Sequence, residues 1–183
     1  YDYQKTITID HTQVAATLTD FPVLINLIDA DLKSHVLSGG NDIAFTLNGQ
    51  SLDHEIELFD QNYSPTEAQL VAWVKVPTLS NAVDTVITLH YGCENVPSSY
   101  STNVWDNYEI VQHLNNDPTG IQYDSAAQNH HGTSYGSMAT NNLLTGKIGN
   151  AIEFDGVDDA ISVGQIYTDT WSQFTMSAWV YHD

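Results

Sequence analysis

Glu55 and Glu57 are the residues of this chain that are best suited, by type and spacing, to acid–base chemistry. They lie two positions apart in a run that follows Asp53 and continues to Asp60. Residues i and i+2 of a β-strand project from the same face, and paired carboxylates are the groups that glycosidases use. The spacing therefore raises the hypothesis of a glycan-cleaving enzyme that acts through Glu55 and Glu57.

The surroundings of this pair argue against catalysis. Ile56 and Leu58 are expected to face the core, so that Glu55 and Glu57 face water together. Two carboxylates in the same solvated environment do not divide into an acid and a nucleophile. The nearby aromatic residues are expected in the core rather than in sugar-binding subsites: Phe45, Phe59 and Trp73. We therefore predict no catalytic residues, and expect cross-strand hydrogen bonds, a Lys contact or solubility as the role of both glutamates.

Four aspartates in two polar loops are candidate ligands for a structural Ca2+: Asp124, Asp155, Asp158 and Asp159. Oxygen ligands gathered on loops are what Ca2+ requires. Asp and Gly are also common in turns, because they form local hydrogen bonds and tolerate positive φ. The sequence leaves both explanations open. If an ion is present, Asp124 with neighbouring loop carbonyls is the preferred site over the acidic turn 155–159.

Two other motifs are predicted to carry no chemistry. Residues 132–136 match the Gly-x-Ser-x-Gly pattern of a hydrolase nucleophile, but that motif needs a buried strand before it and a helix after it. The flanking residues here are polar, so the match is expected to be coincidental. His130 and His131 are adjacent and therefore point apart, and no third ligand is evident, so a solvated pair is expected.

The elements that position these residues are predicted to be β-strands. β-branched residues partly alternate with polar ones, and Gly, Asn and Pro clusters separate the runs. Strands are predicted at 4–10, 23–28, 43–47, 54–59, 69–76, 85–91, 108–114, 151–154, 160–163 and 174–181. Asn48-Gly49 predicts a hairpin, and a helix of at most two turns is predicted at 29–37. The stretch 115–143 is expected to form surface loops, and 174–181 a buried strand, giving an all-β fold.

Composition excludes several classes of function. The 183 residues carry four Lys, no Arg and 23 acidic residues, for a net charge of −19. Such a surface repels phosphate backbones and anionic lipids, so we expect neither nucleic-acid binding nor insertion in a membrane. Cys93 is the single cysteine, which excludes an internal disulfide.

Several segments, taken in their order along the chain, are similar to those of a known family: 3–10, 21–25, 41–46, 54–57, 70–77 and 91–92. They resemble a domain of unknown function from bacterial and archaeal surface proteins, which in some bacteria is fused to proton channels of the MotA/TolQ/ExbB type. Downstream segments resemble the start of a concanavalin A-like, laminin-G-like jelly roll: 104–106, 113–114, 124–125, 131–133, 146–151 and 154–159. Gln4, Cys93 and Gln112 depart from the residues usual at their positions.

The resemblance implies an N-terminal β-sandwich at 1–94, a connector at 95–103 and the first, incomplete part of a jelly roll at 104–183. Jelly rolls of this type often hold Ca2+. The expected function is extracellular or cell-surface recognition or adhesion without catalysis, with polysaccharide or a surface protein as partner; a periplasmic location is also compatible. Loop tyrosines suit such contacts: Tyr63, Tyr100, Tyr108, Tyr123 and Tyr135. The alternative is a structural subunit of a fibre or surface assembly, which self-assembles through the incomplete jelly roll.

Overall fold

The computed structural model of the protein describes residues 1–93, 102–166 and 172–182. Within these ranges the chain is all-β, as predicted, with a single short helix, α1 (Ala30–His35). The strands of the first half are β1 (Tyr3–Ile9), β2 (Leu18–Asp29), β3 (Ala44–Leu47), β4 (Gln50–Leu52), β5 (His54–Asp60), β6 (Ala68–Leu79) and β7 (Thr85–Tyr91). Those of the second half are β8 (Ile121–Gln122), β9 (Gly132–Tyr135), β10 (Leu143–Thr145), β11 (Asn150–Ile152) and β12 (Ala160–Ser162).

The chain divides into two compact units, Tyr1–Asp106 and Asn107–Asp183. The first unit contains two antiparallel sheets, with strand orders β1-β7-β3-β4 and β2-β6-β5. Alternate residues of both sheets form one buried core, which includes Phe45, Leu89, Ile25 and Val74. Because successive side chains of a strand point to opposite faces, the residues between these core positions form the two outer faces of a sandwich.

Local sequence accounts for the two sharpest features of the first unit. Asp29 caps α1, since its carboxylate accepts hydrogen bonds from the backbone N–H groups of Asp31 and Leu32. Asn48 and Gly49 join β3 to β4 with φ values of 51° and 78°, the left-handed pair that a tight two-residue hairpin requires. The hairpin prediction is therefore confirmed.

A β-bulge in β5 changes which of its residues face the core. The pairing with β6 shifts between Ile56 and Leu58, so that Glu57 is the additional residue. Ile56 and Phe59 pack against the core, whereas Leu58 pairs with Val71 outside the core cluster. The expectation that Ile56 and Leu58 both face the core is thus wrong, because the inserted residue reverses the alternation.

The second unit contains two small antiparallel sheets in its described residues, β10-β11 and β12-β9-β8. Two strands, β8 and β9, lie in the predicted loop region 115–143, and β10 begins at its last residue, whereas 108–114 forms no strand beyond one bridge between Gln112 and Asp124. The predicted buried strand 174–181 is also wrong. These residues form no regular strand, and Phe174, Met176 and Trp179 are 72%, 85% and 73% exposed. Among the described residues no strand is hydrogen-bonded to this segment, so its apolar alternation alone does not bury it.

Candidate functional site

Glu55 and Glu57 are held by two tryptophans on the outer face of the β2-β6-β5 sheet. The indole N–H of Trp105 donates to Glu55, and that of Trp73 donates to Glu57 at 2.7 Å. The two rings meet edge to face with their centroids 5.2 Å apart. Glu55 is only 5% exposed, so the expectation that both glutamates face water is wrong for Glu55. Trp73 and Glu57 lie on neighbouring strands, so their hydrogen bond is of the cross-strand kind that the sequence predicted as one role of these glutamates.

Trp73 is therefore not a core residue, as the sequence suggested, but part of a polar cluster outside the core. The 3-10 turn Thr102–Trp105 lies against β5 and β6, and Val104 and Trp105 are buried there. Lys75 completes the contact, since its ammonium lies 2.7 Å from Asp106 and donates to the carbonyl of Asn103. In this arrangement Glu55 accepts an indole hydrogen bond from the turn, whereas Glu57 accepts one from within the sheet.

Asp124 is buried and acts as a hydrogen-bond acceptor for three separate loop positions. Its Oδ1 accepts from the backbone N–H groups of Val111 and Ala126, and its Oδ2 accepts from that of His130. Three amide dipoles therefore surround this carboxylate. Asp124 is also absent from the groups of three or more metal-ligating side chains that the described residues bring together.

The other three candidate ligands do converge. Oxygen atoms of Asp155, Asp158 and Asp159 lie within 4.8 Å of one another. Two of these carboxylates are already acceptors: Asp155 Oδ1 binds the N–H groups of Val157, Asp158 and Asp159, and Asp159 binds those of Ser137 and Asp155. The N–H groups of Val157 and Asp158 lower the pKa of Asp155. The turn can hold a cation, but its hydrogen bonds are those of an Asp-rich turn.

The Gly-x-Ser-x-Gly motif at 132–136 has a structural explanation. Residues Gly132–Tyr135 form β9, and the next regular element is a 3-10 turn at Thr140–Asn142 rather than a helix. Gly136 has φ +88°, and a Cβ there would lie 2.6 Å from the carbonyl oxygen of Asp158. The second glycine is therefore required by close packing against the acidic turn.

His130 and His131 have different partners, as their adjacency predicts. His130 Nε2 lies 3.4 Å from Glu109 Oε1, and His131 Nδ1 accepts from the N–H of Asp124. The His131 ring also meets Tyr123 edge to face. The tyrosines predicted to lie in loops are exposed at Tyr63, Tyr108, Tyr123 and Tyr135, although Tyr135 is the last residue of β9. Tyr100 lies outside the described residues.

A cluster that the sequence did not indicate joins the end of β1 to the start of β7. Asp10, His11 and Asp84 bring ligating atoms within 4.8 Å, with 2.6 Å between His11 Nδ1 and Asp84 Oδ1. The hydrogen bond from His11 lowers the pKa of Asp84, and the hydroxyl of Thr12 lowers that of Asp10. Asp84 is 73 positions from His11, so only the β1–β7 pairing reveals the cluster.

The outer face of the β1-β7-β3-β4 sheet is a second feature that can be recognised only from the register in which the strands pair. Its positions alternate with core residues such as Ile7, Phe45 and Leu89. They are Gln4, Thr6, Thr8, Ala44, Thr46, Ser51, Val86, Thr88 and His90. None of them is an acidic or basic residue other than His90, although the chain carries a net charge of −19. We call this surface the hydroxyl face.

The hydroxyl face is accessible to solvent and ends in aromatic groups. Gln4, Thr6 and Thr8 are exposed along β1, and Ser51 is exposed on β4. His90 Nε2 lies 2.9 Å from the Thr46 hydroxyl, and the Tyr1 ring lies 5.5 Å from the His90 ring. Burial lowers the pKa of His90, so the imidazole is neutral at pH 7. The side chains of the face are therefore mostly polar but carry no full charge.

Comparisons with protein families, with characterised proteins and with solved structures found no match to this chain. Of the helices in the described residues, none has the length and apolar content needed to cross a membrane.

Proposed function

We propose that the chain is a recognition or adhesion module of an extracellular or cell-surface protein, without catalytic activity, and that the hydroxyl face is its contact surface. The supporting observation is the absence of Asp, Glu and Lys from one exposed sheet face in a chain with a net charge of −19. A surface of hydroxyl, amide and imidazole groups offers directional hydrogen bonds without the desolvation of full charges. Its partner is a polysaccharide or a surface protein.

A structural role fits the two glutamates better than a catalytic one. Glycoside hydrolysis needs two carboxyl groups on either side of a bound sugar, with different pKa values. Glu55 and Glu57 instead accept indole hydrogen bonds, and the buried Trp105 lies against Glu55. An assay for new reducing ends tests this directly. Activity that disappears in both Glu55→Gln and Glu57→Gln would establish a glycosidase instead.

The experiment for the binding role uses the full chain against a panel of cell-surface polysaccharides and proteins. Thr88 lies at the centre of the hydroxyl face and pairs with Thr6 and Thr46. Thr88→Asp is expected to abolish binding, because it places a charge in the uncharged surface. Thr78→Asp is the matched control, since Thr78 is an exposed strand residue of the other sheet that pairs with Thr19. Equal loss in both variants would contradict the assignment of the face.

A structural role in a fibre or surface assembly is the second candidate, favoured by the exposed segment 174–181. Phe174, Met176, Val180 and Tyr181 are between 72% and 90% exposed. Uncharged, alternating segments of this kind add to the open edge of another sheet. Light scattering over a range of protein concentrations, with Met176→Asp as the variant, distinguishes assembly from monomeric binding.

The family relationships remain proposals. We propose that residues 104–183 form the first part of a laminin-G-like jelly roll, and the two small antiparallel sheets of the second unit support this proposal. Ca2+ is proposed as a structural ion of the turn 155–159, where three carboxylates converge. The resemblance of the first unit to a domain of bacterial and archaeal surface proteins supports the cell-surface location in the same way.

A further inference from the structure

The register of the four-stranded sheet aligns hydroxyl groups in a row. Thr6 of β1 pairs with Thr88 of β7, Thr88 pairs with Thr46 of β3, and Thr46 pairs with Ser51 of β4. Directly paired residues project to the same side of a sheet. Neighbouring strands are about 4.8 Å apart, so the row crosses all four strands over roughly 14 Å. A row of that length contacts several units of a linear chain rather than one small molecule.

A second row, two residues further along the same strands, offers different chemistry. Gln4 pairs with His90, and His90 pairs with Ala44, so that an amide and an imidazole lie beside the small Ala44 side chain. The Tyr1 ring lies at 5.5 Å from His90. Aromatic rings beside hydrogen-bonding groups suit the alternating apolar faces and hydroxyl edges of sugars. The hydroxyl face therefore combines hydrogen-bond acceptors, hydrogen-bond donors and an aromatic ring.

The distribution of charge on the chain distinguishes among the possible partners. A polyanion is repelled by a chain of net charge −19 and finds no Lys on this face. A cationic protein is attracted to the carboxylates elsewhere on the surface, not to the one sheet face that lacks them. An uncharged partner meets neither repulsion nor a competing site. The face is thus complementary to a neutral hydroxyl-rich chain.

We infer that the hydroxyl face binds a neutral linear polysaccharide, which lies across the strands along the row Thr6, Thr88, Thr46 and Ser51. This inference rests on the proposed recognition function and specifies its partner. A threonine hydroxyl can both donate and accept hydrogen bonds, which matches the hydroxyl groups of the glycan, and the Thr46 hydroxyl already shares one such bond with His90. Because no full charge takes part, binding depends little on salt.

Affinity electrophoresis of the full chain tests the inference with soluble β-1,3-glucan, xyloglucan and galactomannan as neutral probes, and alginate and polygalacturonate as charged probes. At least one neutral polysaccharide is expected to retard the chain, equally at 0.05 and 0.5 M NaCl. The double variant Thr6→Val/Thr88→Val keeps side-chain shape and β-propensity but removes two hydroxyls, and is expected to weaken binding about tenfold or more.

The matched control is Thr19→Val/Thr78→Val, which removes an exposed cross-strand threonine pair from the other sheet and is expected to bind as the unmodified chain does. Circular dichroism and thermal unfolding confirm that both double variants are folded. Binding only to charged polysaccharides, or only to surface proteins, overturns the inference but leaves a recognition function. Binding to no member of either panel overturns both.

Discussion

At the scale of single residues, three buried carboxylates in the described part of the chain accept hydrogen bonds from N–H groups: those of Asp42, Asp124 and Glu55. Asp42, which is fully buried, accepts from the N–H of Leu37 and from those of Gly92 and Cys93. Asp124 accepts three backbone N–H groups, and Glu55 accepts an indole. With four Lys for 23 acidic residues, amide and indole donors supply the pairing that ion pairs supply elsewhere.

Replacing Trp105 by Phe is expected to destabilise the first unit more than replacing Trp73 by Phe. The first change removes a donor from a buried carboxylate, which costs about 1–3 kcal/mol, whereas Glu57 is only half-buried. The edge-to-face contact between the rings is altered in both variants, so the comparison isolates the carboxylates. Urea unfolding followed by circular dichroism gives the two midpoints. A larger loss in Trp73→Phe would contradict this account.

Calcium is expected to raise the melting temperature of the chain by binding at the turn 155–159, and chelation to reverse the rise. Asp158→Asn is the appropriate variant, because it removes one candidate ligand and keeps Asp155 and Asp159, which accept the backbone N–H groups of the turn. The variant should fold but lose the response to calcium. The same melting temperature with calcium and with chelator in the unmodified chain would exclude the ion.

At the scale of elements, sequence patterns predict strands well where a strand has hydrogen-bonded neighbours. The predicted strands 54–59, 69–76 and 85–91 fall within β5, β6 and β7, and the hairpin follows from Asn48-Gly49. The segment 174–181 has an equally strong pattern and forms no strand, because strand formation requires a paired neighbour as well as alternation. The bulge at Glu57 cannot be predicted from the sequence pattern, because one inserted residue leaves the composition of the strand unchanged. It nevertheless reverses which of the following side chains face the core.

The hairpin between β3 and β4 allows a clean test of local backbone energetics. Gly49 has φ +78°, and a Cβ there would meet no atom within 4 Å, so steric contact plays no part. Gly49→Ala is expected to cost about 1 kcal/mol, from the left-handed conformation alone. Gly49→Asn should cost less, because Asn adopts that conformation more readily. Thermal unfolding of both variants measures the difference, and a neutral Gly49→Ala would show that the turn adopts another geometry.

At the scale of the whole molecule, the distribution of charge distinguishes one surface from the rest. Composition alone gives the net charge of −19, from which we predict that partners requiring a basic surface do not bind. It does not reveal the hydroxyl face, since Thr6, Thr46 and Thr88 lie on three separate strands and adjoin only in the register of the sheet. The Asp10, His11 and Asp84 cluster is hidden from the sequence for the same reason.

Monovalent salt is expected to raise the melting temperature of the chain steadily between 0.01 and 0.5 M NaCl. Folding brings many like charges together, and the Debye length falls from about 30 Å at 0.01 M to roughly 10 Å at 0.1 M, which screens their repulsion. Salt also weakens attractive pairs such as Lys5 with Asp29 and Asp31, and Lys75 with Asp106.

The balance between these two effects follows from their magnitudes. Exposed ion pairs contribute about 0–1 kcal/mol each, and four Lys can form few of them, whereas 23 acidic residues repel one another over the whole surface. KCl and NaCl should act equally, because screening depends on ionic strength and not on the identity of the monovalent cation. A melting temperature that falls with salt would show that the Lys pairs outweigh the repulsion. A response to one cation alone would indicate a specific ion site instead.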